Sequence, residues 1–321
     1  MKNNLAIIIP AYKISYFKES ITAIANQTCK DFTLYIGDDA SPNNFIEIID
    51  FFKDKINIVY KRFNENFGGK DLVSHWKRCI DMIQNEEWIW LFSDDDLMDK
   101  NCVELFYKHI EKHKNDKLVH FNIDVINENN IKIFKTKRFS SHFSTTQYFY
   151  EIINHNVYSC THEYIFKRDI FEKVNGFEPF DLAWCSDNAT WMKLSLYGGI
   201  NTIDGAIVRW RLSTLNISSK SDDRSIVLRK TDASIKYLNW ARFFFEKNNL
   251  TDFTSRIEKF RWLLIGIVYT TTLTSNEKYT IIIDSLKRLN FEKIKFQVMG
   301  MWLYEEFKRS FKSAIAHKAG K

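Results

Sequence analysis

Three adjacent carboxylates, Asp94, Asp95 and Asp96, stand just past the apolar run Trp88-Ile89-Trp90-Leu91-Phe92, with Ser93 between. The run has the length of a buried strand and is too short to span a membrane. Like charges this close repel, and a folded chain relieves the repulsion with solvent or a cation. A hard divalent ion such as Mg²⁺ or Mn²⁺ takes one or two carboxylates and completes its shell with water and phosphate oxygens. The carboxyl end of a strand in an open α/β sheet is also where such folds bind ligands. The same stretch has a plainer use, in which Asp96 or Asp99 caps the helix expected over KNCVELFYKHIEKH. A further acid, Asp187 in WCSDNATW, falls near the start of a helix expected from there to Tyr197, closed by Gly198-Gly199. At that position it can serve as a cap or a dipole partner.

The elements that must position these acids alternate regularly. NLAIIIPAYK reads as a buried strand ending at Pro10, which cannot donate to a ladder. Phe17, Ile21 and Ile24 then recur with a helical period. A second strand, Phe32 to Ile36, runs into Gly37, the acid pair Asp38-Asp39 and a turn closed by Pro42. FIEIIDFFKD is a helix, INIVYKRF a strand, NENFGGK a turn and DLVSHWKRCIDMIQ a helix, which leads back to the strand before Asp94. This alternation predicts a parallel, doubly wound sheet. Short connections then bring Pro10–Tyr12, Asp38–Asp39, Gly68–Lys70 and Asp94–Asp96 into one crevice. Gly68-Gly69 lacks the spacing of a dinucleotide or P-loop motif and reads as a turn. Further on, KLVHFNIDVINENN and IKIFKTK suit a hairpin, TQYFYEIINH a helix, and the stretch after residue 222 three or four amphipathic helices.

Composition narrows the class. The 321 residues, 45% apolar and 27% charged, suit a globular chain with a sizeable core. A net charge of +6, without a stripe of Lys and Arg in the first 200 residues, argues against nucleic acid as a partner. Aromatic residues make up 16% of the chain, enough to fill a core and still offer rings to sugar faces. Five cysteines (Cys29, Cys79, Cys102, Cys160, Cys185) are far apart and lack C-x-x-C spacing, which predicts reduced thiols rather than a disulfide frame or zinc site. Neither a signal peptide nor a membrane-spanning run is seen, so the expected location is cytoplasmic.

IIIPAYK, ESITAIANQT, LYIGDDAS, NFGGK and WIWLFSDDDLM, in this order and spacing, resemble the nucleotide-binding half of family 2 glycosyltransferases with the GT-A fold. The resemblance resumes near residues 160–215 with FKRDIFEKVNGFEPF, CSDNATWMKLSLYGG and VRWRLS, which are similar to that family's acceptor half. It implies an α/β fold, a GT-A-like doubly wound mixed sheet with a C-terminal helical appendage. The catalytic domain would cover residues 1–220, divided at 100 into nucleotide-sugar and acceptor halves, with a helical region over 221–321.

Carried over by position, Asp38 matches the aspartate that recognises the base or ribose, with Asp39 beside it, and Pro10 and Tyr12 match residues lining the base pocket. Lys70, in the Gly-Gly turn, joins the donor site. Ser93-Asp94-Asp95 occupies the D-x-D metal motif, with Ser93 in place of its usual first acid. The resemblance gives Asp95 to the metal, Mn²⁺ or Mg²⁺, and Asp94 to the ribose, while the register leaves Asp96 open as a ligand. Asp187 matches the catalytic base, and Ser186 replaces the glutamate that often precedes it. Trp184 could stack on an acceptor ring, while Trp191 reads as core. His162 and Glu163 could contact the acceptor sugar, or form a solvated or locally hydrogen-bonded pair.

The implied reaction is inverting transfer from a nucleotide-diphosphate sugar, a UDP-sugar in particular, to a hydroxyl of a saccharide or lipid-linked saccharide, in bacterial surface polysaccharide synthesis. A processive synthase is disfavoured, since Arg209-Trp210 lacks the Gln of Q-x-x-R-W. A sugar nucleotidylyltransferase would carry a Gly-rich N-terminal loop, which IIIPAYK is not. A non-catalytic nucleotide-sugar-binding protein is the rival from another class. The aromatic and basic end, with Trp302, Tyr304, Phe307 and Phe311 among Lys308, Arg309, Lys312 and Lys318, suits either contact with an anionic membrane or packing on the protein.

Overall fold

The computed structural model describes residues 4–319, with side chains described as far as residue 309. The chain forms two compact units, residues 1–149 with 157–213, and residues 150–156 with 214–321.

The first unit is built on strands β1 (Leu5–Ala11), β2 (Phe32–Asp38), β3 (Asn57–Arg62) and β4 (Trp88–Leu91). They lie side by side in the order β3-β2-β1-β4, all parallel. β1, β2 and β4 read as continuous apolar runs because both sheet faces are covered. The connecting helices are α1 (Phe17–Ala25), α2 (Ile46–Asp50) and α3 (Leu72–Ile80). Phe17, Ile21 and Ile24 of α1 are buried, as their spacing predicts, and Asp71 caps α3 by accepting from Ser74 N.

Beyond β4 the sheet becomes mixed. β5 (Leu97–Met98) follows the acid run, then α4 (Cys102–Lys112), β6 (Leu118–Ile126), β7 (Lys132–Lys135), β8 (His142–Phe143), α5 (Thr145–Ile153), β9 (Tyr164–Lys167), α6 (Arg168–Lys173), α7 (Ser186–Ser195) and β10 (Ile200–Arg211). β9 is antiparallel to both β4 and β6, whereas β10 is parallel to β6. The start of β9 and the end of β10 therefore arrive at the edge where β1, β2 and β4 finish. β6 and β7 form the expected hairpin.

The structure corrects the capping alternative for the acid run. Asn101 is the N-cap residue of α4. Asp99 instead accepts from Ile207 N at 2.9 Å and Arg209 Nη2 at 2.6 Å, pinning β5 to β10. Asp96 does not cap the helix either, since its oxygens are turned to Arg211 N and His162.

The second unit carries α8 (Arg224–Lys247), α9 (Arg256–Val268), α10 (Ser275–Arg288) and α11 (Lys295–Ala319). α9 and α10 start with reciprocal capping boxes, Ser255 with Glu258 and Thr274 with Glu277. Lys278 is buried, donating to Val268 O at 2.7 Å and pairing with Glu306 of α11 at 2.9 Å. Among the described residues, no helix is long and apolar enough to cross a membrane.

Candidate active site

At the end of β4 the three acids diverge. Asp94 Oδ2 accepts from the backbone N–H groups of Tyr12 (3.0 Å) and Lys13 (2.8 Å), which fixes the exit of β1 against it. Asp95 is held by two movable side-chain tips, the Ser93 hydroxyl and the Lys13 ammonium. Asp96 Oδ1 accepts from Arg211 N at 2.7 Å and its Oδ2 lies 3.1 Å from His162 Nδ1. Burial pushes the Asp94 carboxyl up to about 6, against the pull of Lys13 and with the Asp95 charge adding to the rise. Burial and the Asp95 charge also raise Asp96. Lys13 answers in the opposite sense. Burial opposes its charge, but Asp94 and Asp95 outweigh that and move its pKa upward.

The other donor-side residues fall on the same edge. Asp38 is buried and receives Ser41 N (2.8 Å), Tyr60 OH (2.7 Å) and Arg62 Nη1 (2.7 Å). Asp39 gathers the Gly-rich turn by accepting from Phe67 N (2.8 Å), Gly68 N (2.7 Å), Asn66 Nδ2 (3.1 Å) and Arg78. A Cβ at Gly68 would meet Asp39 Oδ2 at 2.7 Å, so only glycine permits this approach. Pro10 is part-buried within β1, while Tyr12 and Lys70 are exposed at the rim. Ser41 Oγ donates to Tyr12 O at 2.7 Å and ties the two loops together.

On the other side of the acid run lies the tetrapeptide Cys160–Glu163, just before β9. His162 and Glu163 are only 4% and 1% exposed, so the expectation of a solvated pair is corrected. Because β9 runs against β4, its first residues are carried under the edge rather than onto the surface. As placed, both side chains are buried beside the acid run, His162 against Asp96. Burial lowers His162 to about 4, so the ring is neutral at pH 7. Burial raises Glu163 to about 8, against the hydrogen bond from Cys160 N, with Asp187 adding to the rise.

Asp187 is the second residue of α7, and the cap position is held by Cys185. It therefore is not the helix cap. Its Oδ1 accepts from Asn188 N at 2.8 Å, and the Thr161 side chain also bonds to it. Burial pushes it up to about 6. The approach to α7 is strained, with Leu182, Ala183 and Cys185 all at positive φ (58°, 53° and 68°). Trp184, just before the helix, and Asp187, in its first turn, are both part-exposed around that left-handed bend. Trp191 is fully buried, as expected for core.

Two site residues were not singled out by the sequence reading. Lys13 follows Tyr12 directly and is the cation of the acid cluster. Arg211 is fully buried at the end of β10. Its Nε donates to Asp95 O (2.7 Å), its Nη2 to Glu19 (2.9 Å), and its Nη1 to Asn127 O and Glu128 O (3.3 Å each). The only available signal was a charged residue inside the otherwise strand-like VRWRLS.

Known proteins can be set beside this geometry. Residues 6–174 match the model of glycosyl transferase family 2. The glycosyltransferase GlyG of Streptococcus pneumoniae is 26% identical over 127 residues, 39% of this chain and 41% of that protein. An uncharacterised glycosyltransferase of Mycoplasma genitalium, MG060, is 25% identical over 123 residues, 36% and 40% of the two chains. The matched segment thus spans about two fifths of each curated relative. Among solved structures, residues 1–349 of S. aureus TarS in complex with UDP-GlcNAc superpose with a TM-score of 0.55 at 16% identity, over 90% of this chain and 72% of that one. The same TarS fragment with UDP gives 0.54 at 13% identity, over 100% and 92%. These likenesses establish the GT-A fold, and with more than half of its length matched by the family model, the chain belongs to glycosyltransferase family 2.

Proposed function

We propose that this chain transfers a sugar, with inversion, from a nucleotide-diphosphate sugar to a hydroxyl of a saccharide or lipid-linked saccharide in bacterial surface polysaccharide synthesis. The observation that carries the reading is the convergence of the acid run and the tetrapeptide bonded to Asp187 on one edge of the sheet. One-step inversion needs charge stabilisation at the departing diphosphate and a base at the attacking hydroxyl, which calls for two acidic stations.

Ser93 and the three carboxylates are hard oxygen donors, and Asp94 and Asp96 are raised despite the Lys13 ammonium, so the cluster fits a divalent cation such as Mn²⁺ or Mg²⁺. Asp95 is the residue suited to hold it, because its present partners are side-chain tips that can turn away. Both oxygens of Asp96 are already engaged, which favours Asp95 as the ligand. When bound, such an ion supplies charge neutralisation to the diphosphate. Lys13 is placed to add a positive charge beside it. Tyr12, Lys70 and the turn gathered by Asp39 line the donor side, and Trp184 offers a ring to the acceptor. Asp187, with its carboxyl near 6, is ionised at neutral pH and takes the proton from the attacking hydroxyl. UDP-GlcNAc and UDP in TarS support a UDP-sugar as donor.

The test is a panel of nucleotide-diphosphate sugars incubated with the protein and Mn²⁺, followed by nuclear magnetic resonance of the anomeric proton. One donor is expected to lose its sugar with an inverted first product. Retained configuration would defeat the one-step reading. Intact donors throughout the panel would favour a binding protein.

Membrane contact through the helical unit is a second element of the proposal. α11 exposes Phe296 (89%) and Phe307 (69%) with Leu303 and Tyr304 on one stripe, near exposed Lys293 and Lys295. The helix also packs within its own unit, with Trp302 against Tyr279 and Glu305 against Tyr269. The side chains of Phe311, Lys312 and Lys318 lie outside those described. The intact protein is expected to sediment with anionic liposomes at low salt and to be released by salt. No sedimentation at low salt would leave the stripe without a membrane role.

A further inference from the structure

The tetrapeptide Cys160–Glu163 brings together three ligand-bearing groups that the transfer reaction leaves unused. The Cys160 Sγ, a His162 ring nitrogen and a Glu163 carboxylate oxygen lie within 4.8 Å of one another. His162 Nδ1 faces Asp96 Oδ2 at 3.1 Å, which turns the other ring nitrogen, Nε2, toward Glu163. That Nε2 points to Glu163 Oε2, 4.0 Å away, and both atoms are buried without a hydrogen-bond partner. Two buried polar atoms left without a hydrogen-bond partner are costly, and a shared cation would satisfy both.

The loop is held from outside. Trp191 Nε1 donates to Cys160 O (3.2 Å), Trp90 Nε1 to His162 O (2.7 Å) and Phe121 N to Glu163 O (3.0 Å). Glu163 Oε1 is fixed by Cys160 N at 2.7 Å, which leaves Oε2 to face the histidine. Asp96 orients His162 as carboxylates orient metal-binding histidines elsewhere. Zinc lies about 2.0–2.2 Å from imidazole and carboxylate and about 2.3 Å from thiolate, so a 4.0 Å gap between Nε2 and Oε2 is spanned by one ion.

We propose that Cys160, His162 and Glu163 form a binding site for a thiolate-preferring divalent cation of the Zn²⁺ class, distinct from the hard-cation site at Asp95. One thiolate, one imidazole and one carboxylate select Zn²⁺ over Mg²⁺ or Mn²⁺. Binding releases the Cys160 thiol proton and the proton held by the Glu163 carboxyl to solvent as the two groups become thiolate and carboxylate. The ion would link the acid run, through Asp96 and His162, to the tetrapeptide whose Thr161 bonds Asp187.

The full-length protein, stripped with chelator, is titrated with Zn²⁺ by calorimetry and with Co²⁺ by absorption. One equivalent of Zn²⁺ and a thiolate-to-cobalt charge-transfer band are expected. Cys160→Ser should abolish the band, and Glu163→Gln should weaken Zn²⁺ binding by about tenfold or more, the size of effect usual at metal centres. Alkylation of Cys160 in the unmodified chain, mapped by mass spectrometry, covers the case in which a variant does not fold. Zn²⁺ should slow it about tenfold and Mg²⁺ should not. A missing cobalt–thiolate band, a band that survives Cys160→Ser, or equal alkylation with and without Zn²⁺ would overturn the site. None of these readouts needs a sugar donor, so the site stands or falls separately from the transferase reading.

Discussion

Replacing Asp187 by Asn should lower sugar transfer by roughly 10²–10⁴-fold, the usual contribution of a positioned general base, while donor binding stays nearly unchanged. An amide keeps the size of the side chain and can still accept from Asn188 N, but it cannot take up the acceptor's proton. Burial raises the Asp187 carboxyl from an ordinary 3.8 to about 6, and a base works deprotonated, so transfer should rise with pH through about 6. Stability has the opposite sign. The folded state holds this proton more tightly than the unfolded chain, so the raised pKa favours folding fully below the ordinary value. That contribution is lost as pH climbs to about 6 and beyond. The Asn variant carries no such charge and should melt no lower than the parent at pH 7.5. Near-normal turnover with normal binding would remove Asp187 as the base, and a melting loss of many degrees would assign it a structural role.

Arg211→Met is expected to cost about 3–5 kcal/mol of stability, because it strips the donor from carbonyls that the buried guanidinium satisfies. Those carbonyls belong to Asp95, Asn127 and Glu128, and Glu19 loses its ion pair while keeping the hydrogen bond from Asn130 Nδ2. For a unit of this size the melting temperature should fall by roughly 6–20 °C. Arg211→Lys should recover little, since an ammonium cannot present a guanidinium's planar fork of donors. The backbone N–H at 211 that serves Asp96 survives both changes. Thermal melts of the two variants decide the matter, and a loss under about 3 °C would show that Arg211 is dispensable to the fold.

The parallel half of the fold was legible because β1, β2 and β4 are continuous apolar runs with Pro, Gly or Asp at or just past their ends, each with a local physical meaning. Pro10, Asp38-Asp39, Gly68-Gly69 and Asp94–Asp96 could thus be placed on one edge from strand order alone. The mixed half was harder to read. β10 is a twelve-residue strand with an irregular register between Ile203 and Ile207, and its broken alternation hid both the strand and Arg211. β5, two residues long, carries no periodic signal at all. Partners distant in sequence were also out of reach. The Lys13–Asp95 pair joins positions 82 residues apart, and the His162–Asp96 contact depends on β9 running against β4. The cysteine pattern offers no metal spacing because only one thiol is present in C-x-H-E, and the nearness of Cys160, His162 and Glu163 shows only in the folded chain.

The central claim is that the edge formed by β1, β2 and β4 is a metal-assisted nucleotide site organised on Asp95. Its most direct test is calorimetric titration of UDP, with and without Mn²⁺, into the parent protein and into Asp95→Asn. The account predicts Mn²⁺-dependent binding to the parent and loss of most of that dependence in the variant, with the melting temperature preserved. Equal Mn²⁺-dependent affinity in the two proteins would contradict it.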